Sequence, residues 1–170
     1  MNAAPTLTGD GIVLRPLLLS DAPALFVALS DAETQRYRRA EEHESVAETE
    51  RYIADTLARS RAAWAITVDG GEALGRLALR EPAARIGEFG IVIRRAAQGR
   101  GLGRKAITLA SAWAFDDLGM AKLTADIDAE NAASIALFSR CGFAQEAYLP
   151  RRRTTKLGLR DSAIFAKYQS

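Results

Sequence analysis

Residues 98 to 105 read Gln98-Gly99-Arg100-Gly101-Leu102-Gly103-Arg104-Lys105, three glycines and three cations in eight positions. They follow an apolar run, Phe89-Gly90-Ile91-Val92-Ile93, and lead into a helical pattern from about Leu102 to Leu118. Strand, glycine-rich turn and helix in that order form a device for holding a phosphate. Glycine lets the backbone approach an anion closely, and a helix N-terminus offers unpaired N–H groups with partial positive charge. Spacing discriminates among phosphate ligands. A nucleotide P-loop beginning at Gly99 needs glycine at position 104, and so does the third glycine of a dinucleotide G-x-G-x-x-G; both fail on Arg104. The pattern that fits is Gln-x-x-Gly-x-Gly, at Gln98, Gly101 and Gly103.

The elements that must position this loop are legible on either side of it. Gly11 to Leu18 reads as a strand, and Ser20 with Pro23 opens a helix over Ala24 to Leu29. Ser45 and Glu48 make a capping box for a helix whose Val46, Tyr52, Ile53 and Leu57 share one face. Trp64 to Val68, Asp69-Gly70-Gly71 and Ala73 to Leu79 read as a hairpin, followed by a turn near Glu81-Pro82-Ala83 and a strand from Arg85 to Ile93. After the long helix come a strand at 122–127, a short helix from an Asn131 cap to Arg140, a stop at Gly142, and final strands at 143–148 and 161–167. The order predicts one α/β domain over 1–170, with its core at about 11–168. Its central sheet is mixed, mostly antiparallel and flanked by helices; the β-α-β unit forces the strand ending at Ile93 and the strand 122–127 to run parallel.

Gln-x-x-Gly-x-Gly between a strand and a helix resembles the acetyl-CoA pyrophosphate loop of the GNAT superfamily of N-acetyltransferases. A second segment, carrying Glu130, Asn131, Ser134, Leu137, Gly142 and Phe143, resembles the RimJ/RimL-like branch of that superfamily, as do Arg15-Pro16-Leu17 and Gly158-Leu159-Arg160-Asp161. The resemblance covers nearly the whole chain, is best over 86–143 and is poor over 31–62. It implies a parallel strand pair splayed at the cofactor site. The pantetheine arm of acetyl-CoA would lie along Ile91, Val92 and Ile93, its amides pairing with backbone groups freed by the splay. The pyrophosphate would sit on the N–H groups of Gly99, Arg100, Gly101, Leu102, Gly103 and Arg104, beside Gln98, with charge from Arg100, Arg104 and Lys105. Asn131 and Phe138 would touch the cofactor. The alternative is a plain turn with solvated arginines.

Amide formation requires a deprotonated amine, a stabilised oxyanion and a leaving thiolate. An alkyl ammonium with pKa of about 10.4 needs a base, and Glu88 is the candidate, since the family often has a glutamate there. Glu88 could instead pair with Arg76 or Arg80 on a neighbouring strand. For the thiolate, the family commonly supplies a tyrosine; here that position is Phe138. Ser134 is the substitute, with helix capping as its alternative role, and Tyr148 is a third candidate. The expected reaction is direct acetyl transfer to a primary amine, on a protein N-terminus or on a small molecule such as a polyamine, amino sugar or antibiotic. The missing tyrosine motivates a rival, a catalytically weak CoA-binding or regulatory module. Cys141 reads as a buried structural thiol, and the acidic run Glu41 to Glu50 as a solvated face. His43 and Arg151-Arg152-Arg153 read as surface loop residues, and Trp113 as core or interface.

Composition narrows the classes further. A 48% hydrophobic and 26% charged chain is ordinary for a globular protein, and a net charge of +2 gives no basis for nucleic-acid binding. No apolar run approaches the ~20 residues that span a bilayer. Met1 to Pro5 lacks the features of a secretory signal, and a single cysteine fits a reducing cytoplasm. One histidine beside glutamates does not make a metal site, so no metal is expected. The resemblance is compatible with a homodimer through an edge strand.

Overall fold

The computed structural model describes residues 4–170. Eight strands form one sheet: β1 (Leu7–Gly9), β2 (Ile12–Pro16), β3 (Ala62–Thr67), β4 (Gly75–Ala83), β5 (Ile86–Ile93), β6 (Lys122–Asp128), β7 (Ala144–Thr155) and β8 (Gly158–Tyr168). Their spatial order is β1-β2-β3-β4-β5-β6-β8-β7. All neighbours are antiparallel except β5 and β6, the pair joined by the crossover helix. The helices are α1 (Ala22–Leu29), α2 (Val46–Arg59), α3 (Leu102–Asp116) and α4 (Ala132–Arg140).

Side-chain alternation along the strands sorts the core onto two faces. On one face Trp64, Ile66, Leu77, Leu79, Phe89, Leu123 and Ile127 meet Leu102, Ala106, Ile107 and Ala110 of α3 and Phe138 of α4. Trp113, half-buried, packs edge-on against the core residue Trp64 there, with centroids 5.3 Å apart. On the other face the strand residues are small, Ala63, Ala65, Ala78 and Val92, and they receive Leu25, Ala28 and Leu29 of α1 and Ile53 of α2. Alanines let these helices approach the sheet closely. Because both faces of β3 are covered, all six of its residues are buried and the run shows no polar alternation.

Several expectations change. The β1 strand was not anticipated; its three residues are too few for a periodic signal. Glu81-Pro82-Ala83 is not a turn but the irregular end of β4, where the register with β5 shifts between Arg80 and Ala83. A bulge tolerates Pro82, which has no N–H to offer a ladder. The reversal falls at Ala84-Arg85, with Arg85 at φ +61. The last two strands are longer than predicted and enclose Arg151-Arg152-Arg153, which therefore lie in β7 rather than in a loop. Two register shifts in β7 explain why its alternation is hard to read.

His43 is also corrected, from surface residue to buried residue at 9% exposure. Its Nδ1 is 2.8 Å from Thr49 Oγ1, and its ring packs edge-on against Tyr52. Burial, with the nearby Arg38 charge, pushes its pKa below the ordinary value, against a smaller upward pull from Glu48. The unfolded chain then binds a proton more readily than the folded one. Stability is undiminished above the unfolded pKa of about 6.5 and is lost as pH falls through it towards the folded pKa. Denaturant unfolding of His43→Gln should therefore lose less stability between about pH 7 and pH 5 than the parent chain. Parallel curves for the two proteins would contradict this account of His43.

Candidate functional site

The parallel ladder between β5 and β6 is short. It runs through Ile86↔Lys122, Gly87↔Leu123 and Glu88↔Thr124 and then stops, although both strands continue. Beyond it β5 stays paired to β4 as far as Ile93, and β6 stays paired to β8 as far as Asp128. A gap opens between them. Arg94 N–H donates to Leu74 O on the β4 side, and the Thr124 hydroxyl donates to Gly87 O on the β6 side. Hydrogen-bonding direction alternates along a strand, so the peptide groups of Phe89, Ile91 and Ile93 face the gap while those of Val92 face β4. Buried backbone groups require partners, and this strand end leaves a row of them for an extended ligand.

The glycine-rich loop closes the same end. Gly99 and Gly101 have φ of +75 and +78, and Gly101 is the N-cap of α3. Lys105 N–H donates to Gly101 O at 3.1 Å, so Leu102, Gly103 and Arg104 carry the orphan N–H groups of the helix start. Gly103 is buried, and a Cβ there would lie 3.2 Å from both Ile93 and Leu137 side-chain carbons. Its lack of a side chain brings α3 tight against β5 and α4. Gln98 has a distinct job: its Nε2 donates to Ile93 O at 2.9 Å, tying the loop to the strand that borders the gap. Gly99, Arg100, Gly101 and Arg104 are exposed, so N–H groups and guanidiniums share one open surface.

The structure separates the remaining predicted residues. Glu88 lies at the end of the ladder, on the α1/α2 face, and forms an ion pair with Arg80 opposite it in β4. Ser134 lies on α4, against the other face; its N–H donates to Asn131 Oδ1 at 3.2 Å. Asn131 is thus a true N-cap. Phe138 is 2% exposed and packs edge-on against Phe143, with centroids 5.2 Å apart, so it is part of the core. Tyr148 donates its hydroxyl to Asp161 at 2.5 Å, and that bond raises its pKa above the ordinary value. Its proton is already engaged. Cys141 is buried, with its thiol pKa pushed up by desolvation, consistent with a structural role. Of the acidic run, Glu42 pairs with Lys156 and Glu48 accepts from Glu44 N–H at 2.7 Å, while Glu41, Glu44 and Glu50 are exposed. Among the described residues no cluster of three metal-ligating side chains forms, and no helix is long and apolar enough to cross a membrane.

Asp126 was missed at the sequence level. It projects from β6 on the α1/α2 face and gathers Arg153 at 2.7 Å, Arg39 at 3.7 Å and Arg152 at 4.0 Å. The available signal was an acid at an alternating polar position, between the apolar Leu123, Ala125 and Ile127 of β6. Its partners come from segments 31–45 and 151–153, where the sequence is hardest to read.

A parallel pair that parts beside a glycine-rich helix start suits an extended ligand with an anionic end. A sequence model of the acetyltransferase (GNAT) domain matches residues 12–144. The chain belongs to the GNAT acetyltransferases. The spermidine N(1)-acetyltransferase of Escherichia coli K12 is 30% identical over 147 residues, 84% of this chain and 77% of that protein. Among solved structures, a GNAT-family acetyltransferase from Bacillus anthracis superposes with TM-score 0.88 at 14% identity, covering 96% of this chain and 98% of its own. A spermidine N-acetyltransferase from Vibrio cholerae, solved with CoA and spermine, gives 0.82 at 22% identity, with 95% and 97% covered. These GNAT relatives share the fold, and the family uses acetyl-CoA.

The loop assignment has a direct check. A Cβ on Gly101 would meet nothing nearer than a Lys105 side-chain carbon at 4.0 Å, so space does not forbid substitution; the positive φ does. A β-branched residue in that conformation costs about 1–2 kcal/mol or forces the N-cap to another geometry, re-aiming the amides. Gly101→Val should weaken CoA binding about tenfold or more by calorimetric titration. An unchanged Kd would remove the loop from the cofactor site.

Proposed function

We propose that this protein transfers the acetyl group of acetyl-CoA to a primary amine by direct attack on the thioester, in the manner of the RimJ/RimL-like branch. The observation that carries the reading is the end of the β5–β6 ladder at Glu88 and Thr124, on the same side as the Gln98–Arg104 loop. In this reading the pyrophosphate rests on the amides of 99–104 and the pantetheine follows Ile91 and Ile93 through the gap. The thioester then lies near the last paired residues. An N–H of β5 facing the gap would polarise its carbonyl and hold the oxyanion.

Glu88 and Ser134 flank the gap from opposite faces. That division suits an amine arriving on the α1/α2 side while the thiolate departs on the α4 side. Glu88, or a water it orders, takes the proton from the ammonium; its ion pair with Arg80 orients the carboxylate. The leaving thiolate, whose thiol has a pKa of about 8.5, needs little help at neutral pH. Ser134 or solvent supplies its proton, because Phe138 has none to give.

The acceptor is an amine, and the spermidine acetyltransferase likeness makes a small amine the first class to assay. Replacing Glu88 by Gln keeps the shape and removes the base. The expected loss in kcat/KM is about 10²–10⁴-fold, with disappearance of the acid limb of the pH–rate profile. If both rate and pH dependence survived in Glu88→Gln, the residue would serve only its ion pair with Arg80.

A further inference from the structure

Two guanidinium groups on the α1/α2 face have no carboxylate partner among the described residues. Arg76 projects from β4, paired in register with Val92, and is 9% exposed. Its Nη1 donates to Gly90 O at 3.0 Å, its Nη2 donates to the Tyr52 hydroxyl, and its Nε is buried without a partner. Arg38 reaches the same place from the 31–45 segment, and its Nη1 is likewise buried and unpartnered. Both guanidiniums lie over the Tyr52 ring, at 4.9 Å for Arg38 and 5.3 Å for Arg76.

The neighbouring acids are already committed. Glu88 pairs with Arg80, Asp126 with Arg39, Arg152 and Arg153, and Glu48 with the Glu44 N–H. His43, against Tyr52, is held towards its neutral form by burial. Burying like charges together without a counter-charge is strongly unfavourable. The strain is visible in Arg76, whose pKa is pushed down to about 9 by burial and by the Arg38 and Arg80 charges. A fold that keeps two such groups side by side presents a concentrated positive charge suited to an anion.

This charge adjoins the part of β5 that borders the gap. Arg76 bonds to the carbonyl of Gly90, an exposed residue one step along β5 from Ile91, whose peptide groups face the gap. One residue along a strand is about 3.3 Å. We propose that Arg38 and Arg76, stacked on Tyr52, form an anion subsite, and that the acceptor is a short primary amine carrying its own carboxylate or phosphate. This inference rests on the acetyltransferase reading of the gap and names the acceptor class. A polycation such as spermidine would meet these uncompensated arginines at the entrance and be repelled.

The test is thiol release from acetyl-CoA with matched acceptors differing only in the anion: amino acids against their amides, O-phosphoethanolamine against ethanolamine, and spermidine as contrast. The anionic member should be preferred by about tenfold or more in kcat/KM, the carboxylate and phosphate pairs showing which source fits. In Arg76→Met, and separately in Arg38→Gln, the anionic-to-neutral ratio should fall towards one. Arg76→Met should also raise the melting temperature, because it removes an uncompensated buried charge; a purely structural arginine would lower it. Equal rates within pairs, a preference for spermidine, or a ratio unaffected by both substitutions would overturn the subsite. Should no amine accelerate thiol release, the transferase reading fails by itself. The subsite is then decided by calorimetric titration of the CoA-loaded protein with N-acetylglycine and with inorganic phosphate. Binding that vanishes in both variants supports it, and no binding overturns it.

Discussion

Everything in this fold is arranged around an interruption of backbone pairing. Two adjacent parallel strands, β5 and β6, share a ladder for three residues and then separate, each held by its outer neighbour. A sheet does not part without cause, since every unpaired N–H and C=O left out of water costs free energy. The outer pairings resist closure: β6 is bound to β8 along all seven of its residues, and β5 to β4 through a register that reaches Ile93. Gln98 reinforces the opening by taking the Ile93 carbonyl. The gap is thus a property of the sheet's own pairing.

Charged contacts hold the elements that border it. Arg15 grips Asp21 through two bonds of 2.9 and 2.6 Å and reaches the carbonyls of Gly70 and Gly71, joining β2, the start of α1 and the β3–β4 turn. Arg160 grips Asp128 through two bonds of 3.0 Å and also contacts Glu130, fixing the turn between β6 and α4 that presents Asn131. Asp128 is 1% exposed; burial pushes its pKa up, but the Arg160 hydrogen bonds, the Glu130 N–H and the Arg160 and Arg153 charges together outweigh burial and hold it below the usual carboxylate range. The segments around Arg15 and Arg160 resemble the family pattern for architectural reasons; neither residue points to chemistry.

Legibility followed locality. The Gln98–Lys105 loop could be read because spacing directly encodes glycine backbone conformation and a helix start; Gly99 and Gly101 take positive φ and Gly101 caps α3. The helices at 46–59 and 132–140 announced themselves through Ser45 and Asn131. The strand 86–93 was visible from its residues, but its parting from β6 was expected only through the family resemblance, because a missing ladder leaves no mark on either strand. The acceptor side was the least readable. Arg39, Asp126 and Arg153 lie far apart in the chain and acquire meaning only when the irregular 31–45 segment brings Arg39 and the Tyr37 carbonyl to the residues of β6 and β7. Arg76 was a lone charge in the apolar run Leu74-Gly75-Arg76-Leu77-Ala78, a signal that could have been weighed as more than a partner for Glu88.

In the proposed reaction the two faces of the gap divide the proton problem unequally. A free alkyl ammonium near neutral pH holds its proton against about 4 kcal/mol, while a thiolate is barely more basic than its surroundings. The harder task is deprotonation of the acceptor, and the acceptor face carries the arginines. A cationic wall lowers the pKa of any ammonium brought beside it, because like charges disfavour the protonated form. If the acceptor's anion occupies Arg38 and Arg76, part of that effect is cancelled, and the remaining Arg80 lies next to Glu88. The carboxylate then has less work to do than a glutamate acting alone in an acidic pocket. This also explains why Phe138 can be given over to the core: the step that its family counterpart assists is the step that chemistry makes easy, and the ring contributes packing against Phe143 at the base of α4.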